Sequence, residues 1–445
     1  MSAEQESKAS EGGWRFALRA LRSYNFRLFF AGQSVSLIGT WMTRVATSWL
    51  VYRLTKSPFL LGAVSFAGQI PLFFLAPIAG VWVDRWDRHR TLIATQALSM
   101  AQSFVLAVLA LTGSITIWHV VALMLLQGFI NALDMPARQS FLVQMVDRRD
   151  QLPNAIALNS SMVNAARLVG PAIAGVIIGS VGEGPCFLID GISYIAVIVS
   201  LLAMRVSPQP QRAGTKNTFE ELREGWRYVS RSHSIRSILL LLALISLLGM
   251  PYTVLMPIFA AQVLHGGPHT LGYLMAAIGV GALIGAVGLA IRKTVLGLGR
   301  VIPLSAGIFG AALIGFALSR SLWLSMALLL ATGYGMMRNL AASNTLLQTI
   351  LEEGKRGRVM SFYAMAFAGM SPFGSLLAGV SAARFGAPAT VVASGVCCMI
   401  GAALFARELP RMREQIRPIY VQLGILPAAV NAESASELQT ASSEQ

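Results

Sequence analysis

The chain has 445 residues, 55% of them hydrophobic and only 12% charged, with a mean hydropathy of +0.62. A water-soluble domain of this size carries roughly twice that charged fraction, so the composition excludes an ordinary soluble enzyme. The formal charge of +15 would suit a nucleic-acid binder, but the basic residues sit in short connectors between apolar runs, so no nucleic-acid partner is expected.

Residues 1–27 form a polar tail expected to be cytoplasmic; through Tyr24 it lacks the apolar core and cleavage site of a secretory signal, so the first span should be retained. Apolar stretches of about 20 residues, the length that crosses a ~30 Å hydrocarbon layer, then follow one another. Spans are expected at 28–52, 58–83, 91–112, 116–135, 155–181 and 185–204, then at 237–263, 270–291, 301–319, 321–341, 358–383 and 387–407. The fold class this predicts is all-α integral membrane: twelve transmembrane helices in two pseudo-symmetric six-helix bundles, 28–204 and 237–407. The linker 205–236 and the tail 408–445 complete the chain, the tail basic at first and then an Ala/Ser/Glu/Gln tract expected to be disordered.

With an even number of spans, only Arg53, Lys56, Arg320 and Arg384 fall in outer loops, and Arg44 and Arg167 lie within spans; the other Lys and Arg residues belong to inner segments. This is the positive-inside pattern, and it predicts a multi-pass protein of the bacterial inner membrane with both termini cytoplasmic. The halves echo each other. Ser57-Pro58-Phe59-Leu60-Leu61-Gly62 opens span two, and Gly267-Pro268-His269-Thr270-Leu271-Gly272 opens span eight, 210 positions later. Gly128, Asp134 and Ser140 likewise match Gly333, Asn339 and Thr345 at an offset of 205. In the linker, Thr218 and Glu221 form a capping-box pattern, and Phe219, Leu222, Trp226 and Val229 make one apolar stripe. A short amphipathic helix over 218–231, lying on the inner membrane face or across the bundles, is expected.

Ionisable residues at membrane depth are expensive and tend to be functional. Arg44 in span one, Arg167 in span five and Asp190 in span six qualify. Asp190 is the candidate proton carrier, since a carboxyl group's proton affinity changes as an arginine approaches or withdraws. At 1.5 Å per residue Asp190 lies ~9 Å from the outer end and Arg167 ~20 Å, so Arg44 matches Asp190 better in depth. Asp134, Arg138, Arg338 and Arg358 form a candidate charge network nearer the inner surface. Trp41, Met42, Trp49 and Tyr52 in span one, with Phe66, Gln69, Phe73 and Phe74 in span two, are candidate lining for an aromatic cavity, although membrane aromatics more often pack or face lipid. No histidine lies deep in a span, Cys186, Cys397 and Cys398 lack metal-ligand spacing, and no Gly-x4-Gly-Lys-Ser/Thr loop is present. No cofactor is therefore expected, and with no nucleophile–base pair, no enzyme activity.

The inner connector after span two reads Gly80-Val81-Trp82-Val83-Asp84-Arg85-Trp86-Asp87-Arg88-His89-Arg90. Gly80 permits close helix approach, and Asp84 with Arg85, Arg88 and Arg90 supplies a latch that could hold one conformation and release in another. The stretch resembles the signature connector of the major facilitator superfamily, with Asp87 in place of that pattern's later glycine. Gly39-Thr40-Trp41-Met42, Ser48-Trp49-Leu50-Val51-Tyr52, Asp134-Met135-Pro136-Ala137-Arg138-Gln139-Ser140, Asn154-Ala155-Ile156-Ala157-Leu158-Asn159-Ser160, Ala166-Arg167-Leu168-Val169-Gly170-Pro171 and Arg356-Gly357-Arg358-Val359-Met360-Ser361 resemble the branch of enterobactin exporters and drug-efflux proteins. Gly170, Pro171 and Gly175, followed by Gly179, are similar to the antiporter-associated motif of the superfamily, Ala174 standing where a second glycine is common. The resemblance implies a secondary transporter exporting a small organic solute, siderophore or drug-like, by exchange with protons. An importer, a lipid flippase and a transport-inactive sensor or assembly partner remain alternatives. Solute, protons and membrane lipid are the expected partners, and a monomer the expected unit.

Overall fold

A computed structural model describes residues 18–206, 218–292 and 294–426, and the elements within them are helical. The first half contains α1 (Tyr24–Thr55), α2 (Pro58–Arg85), α3 (Arg88–Leu111), α4 (Ile117–Leu142), α5 (Leu152–Val181) and α6 (Gly184–Leu202). A short α7 (Thr218–Arg231) precedes the second half: α8 (His233–Val263), α9 (Pro268–Ala290), α10 (Leu298–Leu318), α11 (Leu322–Ile350), α12 (Gly354–Phe385) and α13 (Ala387–Gln422). Ten of these, among the described residues, are long and apolar enough to cross a bilayer. The other two long helices, α1 with 32 residues and α11 with 29, have the length but carry more polar side chains. Those side chains meet protein rather than lipid: α1 packs between α5 and α6, and α11 against α9 and α10, where Asn339 donates to the Ile302 carbonyl at 3.0 Å.

Local chemistry sets the helix ends and breaks. Ser57 caps α2 through the Leu60 amide, with Pro58 at the first position, where its missing N–H costs nothing. Asp87 caps α3, its carboxylate accepting from the Arg90 amide at 3.0 Å. Its φ of −65° needs no glycine, which explains how the connector turns without one. Helix α8 departs from α geometry in two π turns, Ile245–Gly249 and Phe259–Val263, with a 3-10 stretch over Met250–Leu255. Pro251 and Pro257 cannot donate along the helix, so the ladder shifts register there. Helix α12 carries a matching π turn at Met365–Gly369, and the Ser246 hydroxyl of α8 donates to the Phe367 carbonyl within it.

The two halves meet along two seams, α2 with α12 and α5 with α9. Each seam is a backbone-to-backbone crossing of glycines. A methyl group added to Gly62 would lie 2.9 Å from the Gly379 Cα, and one added to Gly175 would lie 2.8 Å from the Gly272 Cα. Gly62 and Gly272 are the residues that close the two repeated segments, so the internal repeat marks equivalent contacts. Around the crossings, Phe73 stands edge-on to Phe373 at 5.1 Å, Ser65 bonds Ser375 at 3.2 Å, and His269 lies directly over Gly179. The glycine crossings, the Ser65–Ser375 bond and His269 fall in the parts of the four helices remote from the chain termini, and Phe73 near the middle of α2.

Helix α7 lies where the amphipathic segment is expected, and it docks on the start of α12. Glu224 pairs with Arg358 at 2.5 Å, Lys355 lies 4.7 Å from the Tyr228 ring, and Phe362 packs under Gly225. Val229 is buried as the stripe predicts, but Trp226 is 63% exposed, touching Phe362 with one edge. The side chains of Thr218, Phe219, Glu221 and Leu222 lie outside the described residues.

Helix ends on the face remote from the termini agree closely with the hydropathy boundaries. On the terminal face several helices run on: α4 to Leu142, α11 to Ile350, and α13 to Gln422. Residues 408–422 continue α13 beyond the apolar length that ends at 407. Hydropathy registers only the lipid-facing length, and arginine-rich helix can continue into the headgroup layer and water. His233 to Glu408 at 2.8 Å and Ser234 to Gln415 at 2.8 Å tie this extension to the start of α8.

The crossings yield a stability prediction. Gly272→Ile should lower the melting temperature of the purified protein by several degrees, the signature of about 1–3 kcal/mol of overpacking. Gly288→Ile on the same helix, where an added Cβ meets nothing within 4 Å, should leave it unchanged. Equal melting curves for the two variants would contradict close glycine packing.

Candidate functional site

Two faces of α1 organise the interior of the first half. Gly39 and Thr43, one turn apart, face α6. A Cβ on Gly39 would lie 2.8 Å from a carboxylate oxygen of Asp190, so only glycine allows α1 to lie this close. Thr43 Oγ1 from α1 and Ser103 Oγ from α3 both donate to Asp190 Oδ2 at 2.9 Å. Asp190 is 2% exposed, and its other oxygen, Oδ1, has no hydrogen-bond partner. Hydroxyls from α1 and α3 therefore hold one oxygen of this α6 carboxyl group; the other, packed against Gly39, accepts no hydrogen bond, and no cation lies within ion-pair distance among the described residues.

The neighbouring face of α1 meets α5. A Cβ on Gly170 would lie 2.6 Å from the Trp41 Cβ and 2.9 Å from the Ile38 carbonyl, so this glycine seats the Trp41 backbone against α5. Three residues earlier on α5, the Arg167 guanidinium lies 5.1 Å from the Trp41 ring centroid; Arg44, three residues after Trp41, lies 4.6 Å from the same centroid. The two charges can be at most about 10 Å apart, the sum of those distances. At an effective dielectric near 20 they repel by at least about 1.7 kcal/mol. Neither has a carboxylate partner among the described residues, and Arg167 Nε is buried without any hydrogen bond. Cation–π contact with Trp41 offsets part of this, about 0.5–2 kcal/mol for each arginine.

Arg44 is exposed, and its guanidinium lies on the same indole ring as that of Arg167. Pro171 contributes here as well. It has no N–H to offer the Arg167 carbonyl four residues back, and α9 approaches that freed carbonyl through Gly279, whose Cβ would lie 3.2 Å from it. Tyr252, in the 3-10 stretch of α8, is 2% exposed; its ring packs on Phe309 at 6.2 Å and its buried hydroxyl lacks a partner.

The remaining candidates are distributed elsewhere. Asp134 is saturated: Oδ1 accepts from Thr95 at 2.9 Å and Gln96 at 2.7 Å, and Oδ2 from Arg138 at 3.1 and 2.5 Å. Arg338 donates to the Tyr334 hydroxyl, and Arg358 pairs with Glu224. The four residues expected to form one inner network thus have separate partners in three places. Gln69 turns back on its own helix to Ser65, and Phe73 belongs to the α2–α12 seam. Trp49 and Tyr52 pack on each other at 5.7 Å within the core of the first half rather than facing lipid. Gly80, Asp84 and Arg85 lie in the last turns of α2, and the side chains of these three are outside the described residues; Arg88 and Arg90 open α3. Arg44 and Asp190, matched by depth, are not ion-paired; Thr43 takes the place at Asp190. Sequence reasoning passed over Thr43, Ser103 and Tyr252. The signal for Tyr252 was available, as it sits in a proline-interrupted membrane segment of the kind that lines transport sites.

The contrast between the two aspartates is measurable. Asp134→Asn strands the Arg138 guanidinium and should destabilise by about 3 kcal/mol. Asp190→Asn loses no ion pair and should cost under about 1 kcal/mol. Thermal unfolding in detergent would reveal the ranking, and a reversed order would contradict the assignment of Asp134 as the structural carboxylate.

Comparison with known proteins agrees with this architecture. The profile of the family described as transmembrane secretion effector matches residues 16–429. The staphyloferrin A transporter of Staphylococcus aureus is 27% identical over 83% of this chain and 92% of its own. The multidrug efflux pump Tap of Mycolicibacterium fortuitum is 27% identical over 84% of this chain and 93% of its own. Among solved structures, a bacterial homologue of the human lysosomal transporter Spinster, inward-facing and unoccupied, superposes with a TM-score of 0.68 at 16% identity, covering 88% of this chain and 98% of that one. Two glycine-seamed helical halves with polar groups buried between them, and a family profile spanning nearly the whole length, place the chain in the transmembrane secretion effector family of the major facilitator superfamily: it is a multi-pass membrane transporter and not an enzyme.

Proposed function

We propose that the protein exports a small organic solute, siderophore or drug-like, across the bacterial inner membrane in exchange for protons. Both termini face the cytoplasm in this reading, and the bundles 28–204 and 237–407 alternate access to the site between them. The observation that carries it is Asp190, a carboxyl group enclosed by α1, α3 and α6 with one oxygen held by two hydroxyls and the other free to bear a proton. Thr43, which holds it, is adjacent in sequence to Arg44. Rotation of α1 exchanges one for the other at the carboxyl edge, and an arriving guanidinium favours release of the proton. Pumping then requires only that the exchange accompany reorientation of the halves.

Other features support the reading. The seams between the halves lie on the face remote from the termini, and Arg44 is solvent-accessible, which suits a site opening toward the cytoplasm. The relatives named above include a siderophore transporter and a drug-efflux pump. In this reading Asp84, with Arg88 and Arg90 at the start of α3, latches the cytoplasmic side when it closes, as the connector's charge pattern supports.

In proteoliposomes, Asp190→Asn should abolish accumulation driven by a pH gradient while leaving solute counterflow within about threefold of the parent. Unchanged dependence on pH would remove the coupling role from Asp190. Asp84→Asn should slow transport at least tenfold with normal membrane insertion, and normal rates would dismiss the latch. Uptake into inside-out vesicles, if absent while right-side-out vesicles accumulate solute, would establish an importer instead.

A further inference from the structure

We infer that the transported solute is a carboxylate-bearing organic anion, received by Arg44 and Arg167 over Trp41. The inference rests on the transport reading above and specifies the chemistry of that same site.

Among the described residues, no carboxylate pairs with either arginine. Asp190, the carboxylate that Arg44 matches in depth, is engaged by Thr43 and Ser103 instead. Asp134 is taken by Arg138. Arg167 Nε is buried and unbonded, a state that calls for an explanation such as a bound group or water. A guanidinium presents parallel N–H groups that fit a carboxylate in two bonds at once, which a point-like ammonium cannot do. Two such forks, contributed by α1 and α5 and lying on one indole ring, make a receptor for negative oxygen atoms.

The same geometry disfavours the opposite class of solute. Lipophilic cations are recognised by the faces of aromatic rings. Here the Trp41 ring already carries two guanidinium groups, at 4.6 and 5.1 Å. A third positive charge would join two that repel each other. An anion instead relieves that repulsion. With the two guanidiniums at most about 10 Å apart, a solute with two or more carboxylates can reach both.

Arg167 also stands one turn before Pro171, and Gly170 seats the ring that it shares with Arg44. A solute held by both arginines therefore joins α1 to α5, the helix whose Gly175 forms one of the crossings between the halves.

The test uses the full chain purified in detergent, with tricarballylate and terephthalate as probes, each beside its methyl ester, and with phosphate, chloride and tetraphenylphosphonium for comparison. At least one of the two acids should quench tryptophan fluorescence and raise the melting temperature by about 3 °C, while the esters do neither. Arg44→Gln and Arg167→Gln should each weaken that acid at least tenfold, and Arg44→Lys should weaken it less than Arg44→Gln. Without ligand, the two Gln variants should melt at or above the parent temperature, since each removes a repelling charge; a fall of several degrees would show a structural ion pair and overturn the proposal. Equal effects of acid and ester, no response to either acid, tighter binding of tetraphenylphosphonium, or a full response to phosphate or chloride alone would overturn it too. Failure of the transport reading looks different: the acid binds in an arginine-dependent way but is not moved across vesicles. If proteoliposomes export tetraphenylphosphonium equally well after both arginines are replaced, export stands and the anion assignment falls.

Discussion

Everything in the interior is arranged around two places where backbone meets backbone. At Gly62 on Gly379 and Gly175 on Gly272, neither half offers the other a side chain to interlock with. Apolar surface gains nothing by leaving lipid for protein, so helices in a bilayer associate through close packing and a few polar contacts. Small residues at the seams supply that packing, and they leave the interface smooth. The polar residues have gone where this smoothness leaves room, between the halves and within the first of them.

The buried polar groups divide into satisfied and unsatisfied ones. Asp134, with four bonds reaching it from three side chains, makes a rigid corner between α3 and α4. Asp190, Arg44, Arg167 and Tyr252 each retain capacity that the protein does not use. A charged group at the bilayer centre costs about 2.5–3.5 kcal/mol on insertion scales, and a structural role would call for it to be matched by a partner. Their incompleteness is the property that transport requires, since a proton or solute can enter only where bonding capacity remains.

Much of the architecture was legible in the sequence because the bilayer imposes a fixed apolar length and a charge bias on connectors. The face remote from the termini was located almost to the residue. The terminal face was not, because a helix leaving lipid changes its composition without ceasing to be a helix, as α13 does from Glu408 to Gln422. In the site, Trp41, Arg44, Arg167 and Asp190 could be picked out as polar or aromatic exceptions in apolar spans. Their pairing could not. Depth along a helix is readable from residue number, but azimuth depends on which neighbour each face meets. Arg44 lies one residue and about 100° beyond Thr43, and the threonine, not the arginine, turns toward α6. Asp87 shows the converse case, where a departure from a familiar glycine is repaired locally by a capping carboxylate.

The off-centre position of the crossings has a mechanical consequence. Gly62 is four residues from the start of α2 and 23 from its end, about 6 Å against about 35 Å of helix. Gly175 divides α5 almost as unequally, six residues against 23. If the crossings act as a fulcrum, a tilt of about 10° shifts the short arms by only ~1 Å while the long arms swing through ~6 Å, at 1.5 Å of helix per residue. Such a stroke opens and closes only the side toward the termini; access from the other side requires the glycine crossings themselves to part.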